Sequence, residues 1–523
     1  MKLIILRRIG KAPFGSDTYF YLSLTDQMRR NDHTIPLNAD FLFGGTGKNW
    51  ALPSLVPLLC SYVPRAWLDR NQALIPIGAK VAAVFALAFF TGWLCFHSGL
   101  SATSAAMAAL TAGLLYALSP INWNANRANL SDFTFSPRAV ATLFSVLAGL
   151  LALIAVALGD WLITGLAVGA VAGSILTAKF SAQVCAFILP LTALFTGESR
   201  YLEVAVGGFA AAILLSRGHI WRSLNTQIRH LAFYARKLVH ENAPYRSPFG
   251  SLDVLRIPLF LIQWRWAELR ALLMSNIMFR GLVLYPVHLA LGAILLIDYA
   301  GHGSFVVGMN AVERHTVWLW IAALTVFLLT SLRPLHFLGE ADRYLDYFGF
   351  APATAILAIW LVSVPTPTGL AVLAALVAAT AVIAARPLAQ PPRQAHDPDL
   401  TAACAFLVAV GRRETRILTV PITLGFEVHY KTGLPCFFPL PLDESSRDLI
   451  LRYPIPLMDL SAMRARFGVT HLLTARDIEQ RELEVAAAVS GLQPMLDNST
   501  YRVYALADRT SAQGLPSGEI KHA

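Results

Sequence analysis

Ten apolar runs fill most of the first 385 residues, and the chain between them lacks the charge that a water-facing surface needs. They lie at residues 74–97, 102–120, 138–158, 160–178, 180–196, 201–217, 278–299, 316–333, 349–365 and 367–385. Most approach the ~20 residues that a helix needs to cross the hydrocarbon of a bilayer. Only 14% of the 523 residues are charged, against about a quarter in a soluble globular domain. Mean hydropathy is +0.54. The pattern predicts an all-α polytopic membrane domain of about ten spanning helices plus juxtamembrane helices over residues 1–385.

The composition changes after Ala385. Residues 386–399 are proline-rich and polar, as in a linker. Residues 400–508 read as a small soluble α/β domain. Strands are expected at 416–422, 469–474 and 501–506, helices at 445–452 and 478–490, and a disordered tail at 509–523. MKLIIL at the start is too short for the apolar core of a cleavable signal.

Net charge is +10, and the cations sit mostly in loops between apolar runs. That distribution suits membrane lipids and phosphates and argues against nucleic acid as a partner. The stretch 217–276 interleaves apolar and basic residues, as helices lying on a membrane surface do. Residues 50–64 are apolar but short, which predicts a helix at the interface. No CxxC pair occurs among Cys60, Cys95, Cys185, Cys404 and Cys436. Only Cys404 and Cys436 are placed to pair.

Four charged sites stand out beside the apolar runs. Asp17 lies in GSDTYFY. An acid there serves as a general base, a metal ligand or simply a helix cap. Glu340, Asp342 and Arg343 crowd LGEADRYLDY between two runs. The Arg either forks onto a phosphate or pairs locally. Lys179 stands where two runs almost meet, and Arg138 heads another. Each either faces an anion or snorkels to the interface. His288 and Pro286 lie inside a run and receive no role. GGTGKN at 44–49 departs from a phosphate loop at its first Gly and its final Ser/Thr.

Taken in order, these elements resemble the GT-C superfamily of membrane glycosyltransferases, which includes protein O-mannosyltransferases, aminoarabinose transferases and oligosaccharyltransferase catalytic subunits. The similarity runs through Asp17 in SDTYFY and the amphipathic residues 22–64. It continues with LSPINWN at 118–124, FSPR at 135–138 and the Thr177–Lys179 step. RYL at 343–345, followed by Pro352, and FGVTHLLT at 467–474 complete it. The resemblance implies an inverting hexosyl- or pentosyltransferase that uses a sugar on a polyprenyl phosphate and a lipid, glycan or protein acceptor. Asp17 would be the base or hold a divalent metal (Mg, Mn or Zn). Lys179, Arg343, Tyr344 and Arg138 would bind the donor phosphate. Glu340 or Asp342 would assist at the metal or acceptor. Many relatives carry two acidic residues where this chain has Asp17, and a spanning helix before them.

If the Asp17 loop is extracytoplasmic, ten alternating spans put residues 119–138, Lys179, 218–277, 333–348 and the C-terminal domain on the same side. That fits a multi-pass enzyme of a bacterial inner membrane working in the cell envelope. The competing function is a transporter or flippase of a lipid-linked precursor. Such a protein is expected to show repeated halves and broken midplane helices, and the sequence shows no such repeat.

Overall fold

The computed structural model describes residues 16–36, 39–44, 52–118, 123–124, 129–130, 135–238, 251–276, 278, 282, 285–301, 304–339, 341–364, 366–389, 397–440 and 444–506. They divide into two compact units. Of the described residues, those within 32–35 and 52–389 form one, and those within 16–31, 36–44 and 397–506 form the other.

In the first unit, every one of the ten predicted runs contains a helix. Five are long and apolar enough to cross a membrane: Leu74–His97, Pro137–Leu158, Lys179–Thr196, Ala311–Thr330 and Asp342–Ser363. A sixth is obtained if Arg200–Leu215 and His219–Lys237 count as one span bent by 114°. Ala102–Leu118, Trp161–Thr177 and Pro286–Ala300 are apolar but shorter. The chain is thus a multi-pass membrane protein whose helices of spanning length number five or six among the described residues, fewer than the ten expected. One of the shorter runs starts at a polar cap. Asp160 Oδ1 accepts the Leu162 amide at 2.7 Å and starts one helix only two residues after the previous one ends.

Asp342–Ser363 is the central element. Its spanning window is 83% buried, against 39–56% for the other four. Small residues let the helices close on it and on each other. A Cβ at Gly208 would fall 2.2 Å from Val171 Cγ1, so only glycine permits that crossing. Several polar groups inside are matched. Ser145 and Ser174 bond at 2.7 Å. Buried Glu313 closes a capping box with Asn310 and accepts from Ser98 at 2.7 Å. The 114° bend follows two left-handed residues, Arg217 (φ 50°) and Gly218 (φ 81°). Beyond it the basic stretch forms the helices His219–Phe233, Ile257–Ile262 and Trp266–Ser275. Residues 50–64, expected as one helix, hold Leu55–Ser61, with Arg65–Asn71 following after Pro64.

The second unit is built on a six-stranded mixed sheet. Its order is Leu42–Phe43, Cys436–Phe437, Ile417–Val420, His471–Ala475, Tyr501–Ala505, Pro494–Asp497. The three expected strands are present. The expected helix at 445–452 is instead a 3-10 turn, Glu444–Leu449, leading into the strand Ile450–Arg452. Residues 386–389, read as linker, continue the helix Thr366–Ala389. The 509–523 tail lies outside the described residues. Cys404 and Cys436 share one core cluster, yet both are free. Burial pushes the Cys404 thiol up to about 12, and that of Cys436 up as well.

The N-terminal residues 16–43 depart from the expected boundary, because much of this stretch belongs to the sheet unit. Cys436 N donates to Phe41 O at 3.2 Å and Phe438 N to Phe43 O at 2.9 Å. The helix Ser16–Arg30 lays Phe20 on Phe426 (5.0 Å) and Tyr19 on Tyr430 (5.5 Å). Apolar burial and two ladder bonds therefore tie this segment to residues nearly 400 positions away.

Candidate functional site

Arg343 and Arg138, two of the sequence-predicted cations of the first unit, lie near Tyr347, and the helix that Lys179 opens packs beside them through Phe180. Ser136 and Pro137 fix the first start. Pro at the first helical position is pre-set for the turn, and the Ser136 hydroxyl accepts the Arg138 amide at 3.4 Å. Arg138 is exposed. Lys179 opens the next helix and is half-buried. Arg343, also half-buried, lies in the first turn of the central span. Helix N-termini carry about half a positive charge each, so their convergence adds to the side chains and favours an anion.

Phe180 is the shelf on which these parts rest. The Arg343 guanidinium stands 5.5 Å over its ring. Tyr344 and Tyr347 meet the same ring edge-on at 5.0 and 5.9 Å. Gly339 adopts φ +104°, and a Cβ there would lie 3.2 Å from the Phe180 ring. The structure thereby brings Arg343 and Tyr344 to the residue next to Lys179. The Tyr347 hydroxyl is in electrostatic reach of both Arg343 and Arg138.

A chain of amides holds this arrangement. Gln227 Nε2 donates to Gln183 Oε1 at 3.0 Å. Gln183 Nε2 donates to the Leu338 carbonyl at 2.9 Å and the Tyr344 hydroxyl at 3.3 Å. Tyr344 is fully buried, and its hydroxyl takes the Gln183 bond.

Sequence reasoning missed Lys80, the lone cation of IPIGAKVAAVFAL. It is only 8% exposed. Together with Arg343 and Asp342 it acts electrostatically on Asp346, which also accepts a hydrogen bond from Tyr285. A lone charge in a spanning run is itself the signal that could have found it. Asp346 sits in a π-helical turn, Leu345–Gly349, a distortion frequent at functional sites.

The other expectations fall elsewhere. Asp17 lies in the sheet unit, in the first turn of Ser16–Arg30, where an acid complements the helix N-terminus. Glu340 and most of residues 119–134 lie outside the described residues. Among the described residues no group of three His, Cys, Asp or Glu side chains is placed to hold a metal ion. The sheet unit has an open depression of about 430 Å³ lined by Arg476, Glu479, Asp497, Arg502 and Tyr504. Its charges bond one another, Arg502 to Glu479 at 3.0 Å and to Asp497 at 3.1 Å.

No family model and no curated protein matches the chain. Solved structures do. An oligosaccharyltransferase of Archaeoglobus fulgidus, tethered to an acceptor peptide, superposes with a TM-score of 0.56 at 13% identity, over 94% of this chain and 70% of that one. The archaeal oligosaccharyltransferase AglB from the same organism, in complex with an inhibitory peptide and a dolichol-phosphate, gives 0.57 at 11% identity, over 94% and 71%. ArnT from Cupriavidus metallidurans in the apo state gives 0.46 at 14% identity, over 96% of both chains. At these identities the chain and the two archaeal structures share a fold.

Proposed function

We propose that this protein is an inverting GT-C-type glycosyltransferase that moves a hexose or pentose from a polyprenyl phosphate to a lipid, glycan or protein acceptor. The observation that carries this is Arg343 over Phe180 at the start of the Lys179 helix, with Arg138 and Arg343 both in electrostatic reach of Tyr347 and Lys80 in reach of Asp346. A cationic site at converging helix starts suits a phosphate on a lipid. The shared fold adds support, since one neighbour is a complex with a dolichol-phosphate.

In this proposal the acceptor oxygen attacks the anomeric carbon while the bond from that carbon to the phosphate oxygen breaks. The acceptor proton passes to Asp17, and the electron pair stays on the phosphate. Arg343, Arg138 and Lys179 stabilise the charge that grows there. Tyr344 positions Arg343, and Asp342 or Glu340 assists at the acceptor. The resemblance also implies a divalent metal (Mg, Mn or Zn), although no three-ligand set stands among the described residues. About ten helices would span the membrane, with the site and a soluble C-terminal domain facing the periplasm of a bacterial inner membrane.

The test is sugar transfer from a panel of polyprenyl-phosphate donors. Asp17→Asn and Arg343→Ala are each expected to lower the rate about 10²-fold or more. Full activity in both variants, or no transfer by the wild type from any donor, would overturn the proposal.

A further inference from the structure

The bend of 114° that separates His219–Phe233 from the apolar helix Arg200–Leu215 turns the chain from the direction of a span toward the plane of the membrane. Local bonds hold the bend. The Gly218 amide donates to Ile213 O at 2.9 Å, and the Ile220 amide donates to the Ser216 hydroxyl at 3.1 Å. His219 Nε2 lies 2.9 Å from Leu52 O. On a helix, residues seven apart share one ridge, and neighbours in sequence lie about 100° round from each other. Ile220, Ser223, Thr226, Gln227 and Phe233 are buried and form the packed face. Gln227 on that face donates to Gln183 at 3.0 Å. Opposite the packed face stand Trp221 and Ile228, 65% and 66% exposed. A quarter turn round from them stand Arg222 and Arg229, both exposed. The other flank carries the half-buried Leu224 and Leu231. The arginine ridge and the leucine flank thus lie on opposite edges, the arrangement of a helix lying in a membrane interface.

We infer that His219–Phe233 is a docking surface for anionic phospholipids, whose phosphates bind Arg222 and Arg229. Two features select this occupant. The Trp221–Ile228 ridge is apolar and gains by leaving water, and Trp favours the level of the headgroups. Acyl chains against that ridge set the two arginines at headgroup depth, where a guanidinium forks onto a phosphate. The two arginines stand roughly 10 Å apart along the axis, so each meets a lipid of its own. The segment 219–238 contains no Asp or Glu, and Arg236 and Lys237 extend its positive charge. A zwitterionic lipid brings an ammonium along with its phosphate, so a lipid of net negative charge is preferred. The inference depends on the membrane and not on sugar transfer.

The experiment places a thiol-reactive fluorophore at Asn225→Cys, an exposed position between Trp221 and Ile228. All five native cysteines are buried, which directs the label to that site. The full chain is held in phosphatidylcholine nanodiscs with equal small amounts of nitroxide-bearing phosphatidylglycerol or nitroxide-bearing phosphatidylcholine. Phosphatidylglycerol is expected to quench about three- to fivefold more strongly, the effect of one basic side chain on an anionic lipid. In Arg222→Gln/Arg229→Gln the two lipids should quench alike, with the phosphatidylcholine signal unchanged. Salt at about 1 M cuts the screening length to about 3 Å and should bring the wild-type ratio toward one. That arm decides the matter if the double variant does not fold. Equal quenching by both lipids in the wild type overturns the inference, as does a preference that survives the double variant. Quenching by a water-soluble nitroxide and by neither lipid also overturns it, because the ridge then faces water or a protein. If one equivalent of polyprenyl monophosphate abolishes the preference, the ridge belongs to the carrier lipid and the inference fails.

Discussion

The two units treat charge in opposite ways. In the sheet unit, cations sit against acids. Arg476 and Arg502 share Asp497, Arg502 also reaches Glu479, Lys431 meets Glu427 at 2.8 Å, and Arg452 meets Glu482. Such half-exposed pairs are each worth about 0–1 kcal/mol and need no ligand. Around residues 342–347 the balance is different. Lys80, Arg138, Arg343 and the start of the Lys179 helix gather with Asp342 and Asp346, and helix N-termini add more positive charge. A positive surplus beside apolar helices is costly. It is understandable as a site that waits for an anion, whereas the paired surface is understandable as stability alone.

The sharpest way to break this contrast is to remove one arginine from each unit. Arg343→Ala is expected to cut kcat/KM for transfer by about 10²-fold or more, with little change in thermal unfolding. Arg502→Ala should do the reverse. It leaves Glu479, 5% exposed at its side chain, without its cation, and costs about 1–3 kcal/mol of stability while activity stays within about twofold. Equal losses of activity in both variants would erase the distinction. Ionic strength probes the same difference. Raising salt from about 0.05 to 0.5 M shortens the screening length severalfold, so binding of a polyprenyl monophosphate should weaken about tenfold while unfolding of the sheet unit barely moves. A smaller effect is expected from Phe180→Leu. It keeps an apolar residue but removes the ring under Arg343, worth about 0.5–1 kcal/mol, which corresponds to a two- to fivefold rise in donor KM.

The site's residue types were legible in the sequence, but most of their partners were not. Arg343 and Lys179 stand out as charges beside apolar runs, since a bilayer leaves such residues few places to go. That Phe180 is the surface joining them could not be read, because an aromatic at a helix start looks like any other apolar residue. Gln183 and Gln227 carry no local signal either. Their meaning is a bond between helices 44 positions apart. Lys80 was legible and was overlooked. In the sheet unit, the strands at 417–420, 471–475 and 501–505 followed from their β-branched and aromatic content. Leu42–Phe43 did not, because a two-residue edge strand has no period to detect, and its partner Cys436–Phe437 is equally short. The ten apolar runs predicted helices correctly, and among the described residues length and composition qualify five or six of these as spans.

The mildest prediction sharpens the comparison from the paired side. Hydrogen bonds from Ser499 and then Thr500 hold the Asp399 carboxyl below its ordinary value of 3.8. The Thr500 hydroxyl lies 2.6 Å from Asp399 Oδ2, and Asn498 Nδ2 donates to the Asp399 carbonyl at 2.9 Å. Together they tie the start of the Pro398–Val410 helix to the turn before the strand Tyr501–Ala505. Because the folded pKa is depressed, the unfolded chain binds the proton more readily. The stabilisation is therefore complete above the ordinary value and is lost as pH falls through the folded one. Solvent screening keeps the effect to a fraction of a kcal/mol. Amide exchange of Leu400 and Thr401, whose amides bond Asp397, should speed up below about pH 4 in the wild type. The added acid sensitivity should vanish in Ser499→Ala/Thr500→Val. If that double variant keeps the wild-type profile, the tie is not the source of the shift, and local pairing in this unit stabilises less than the geometry suggests.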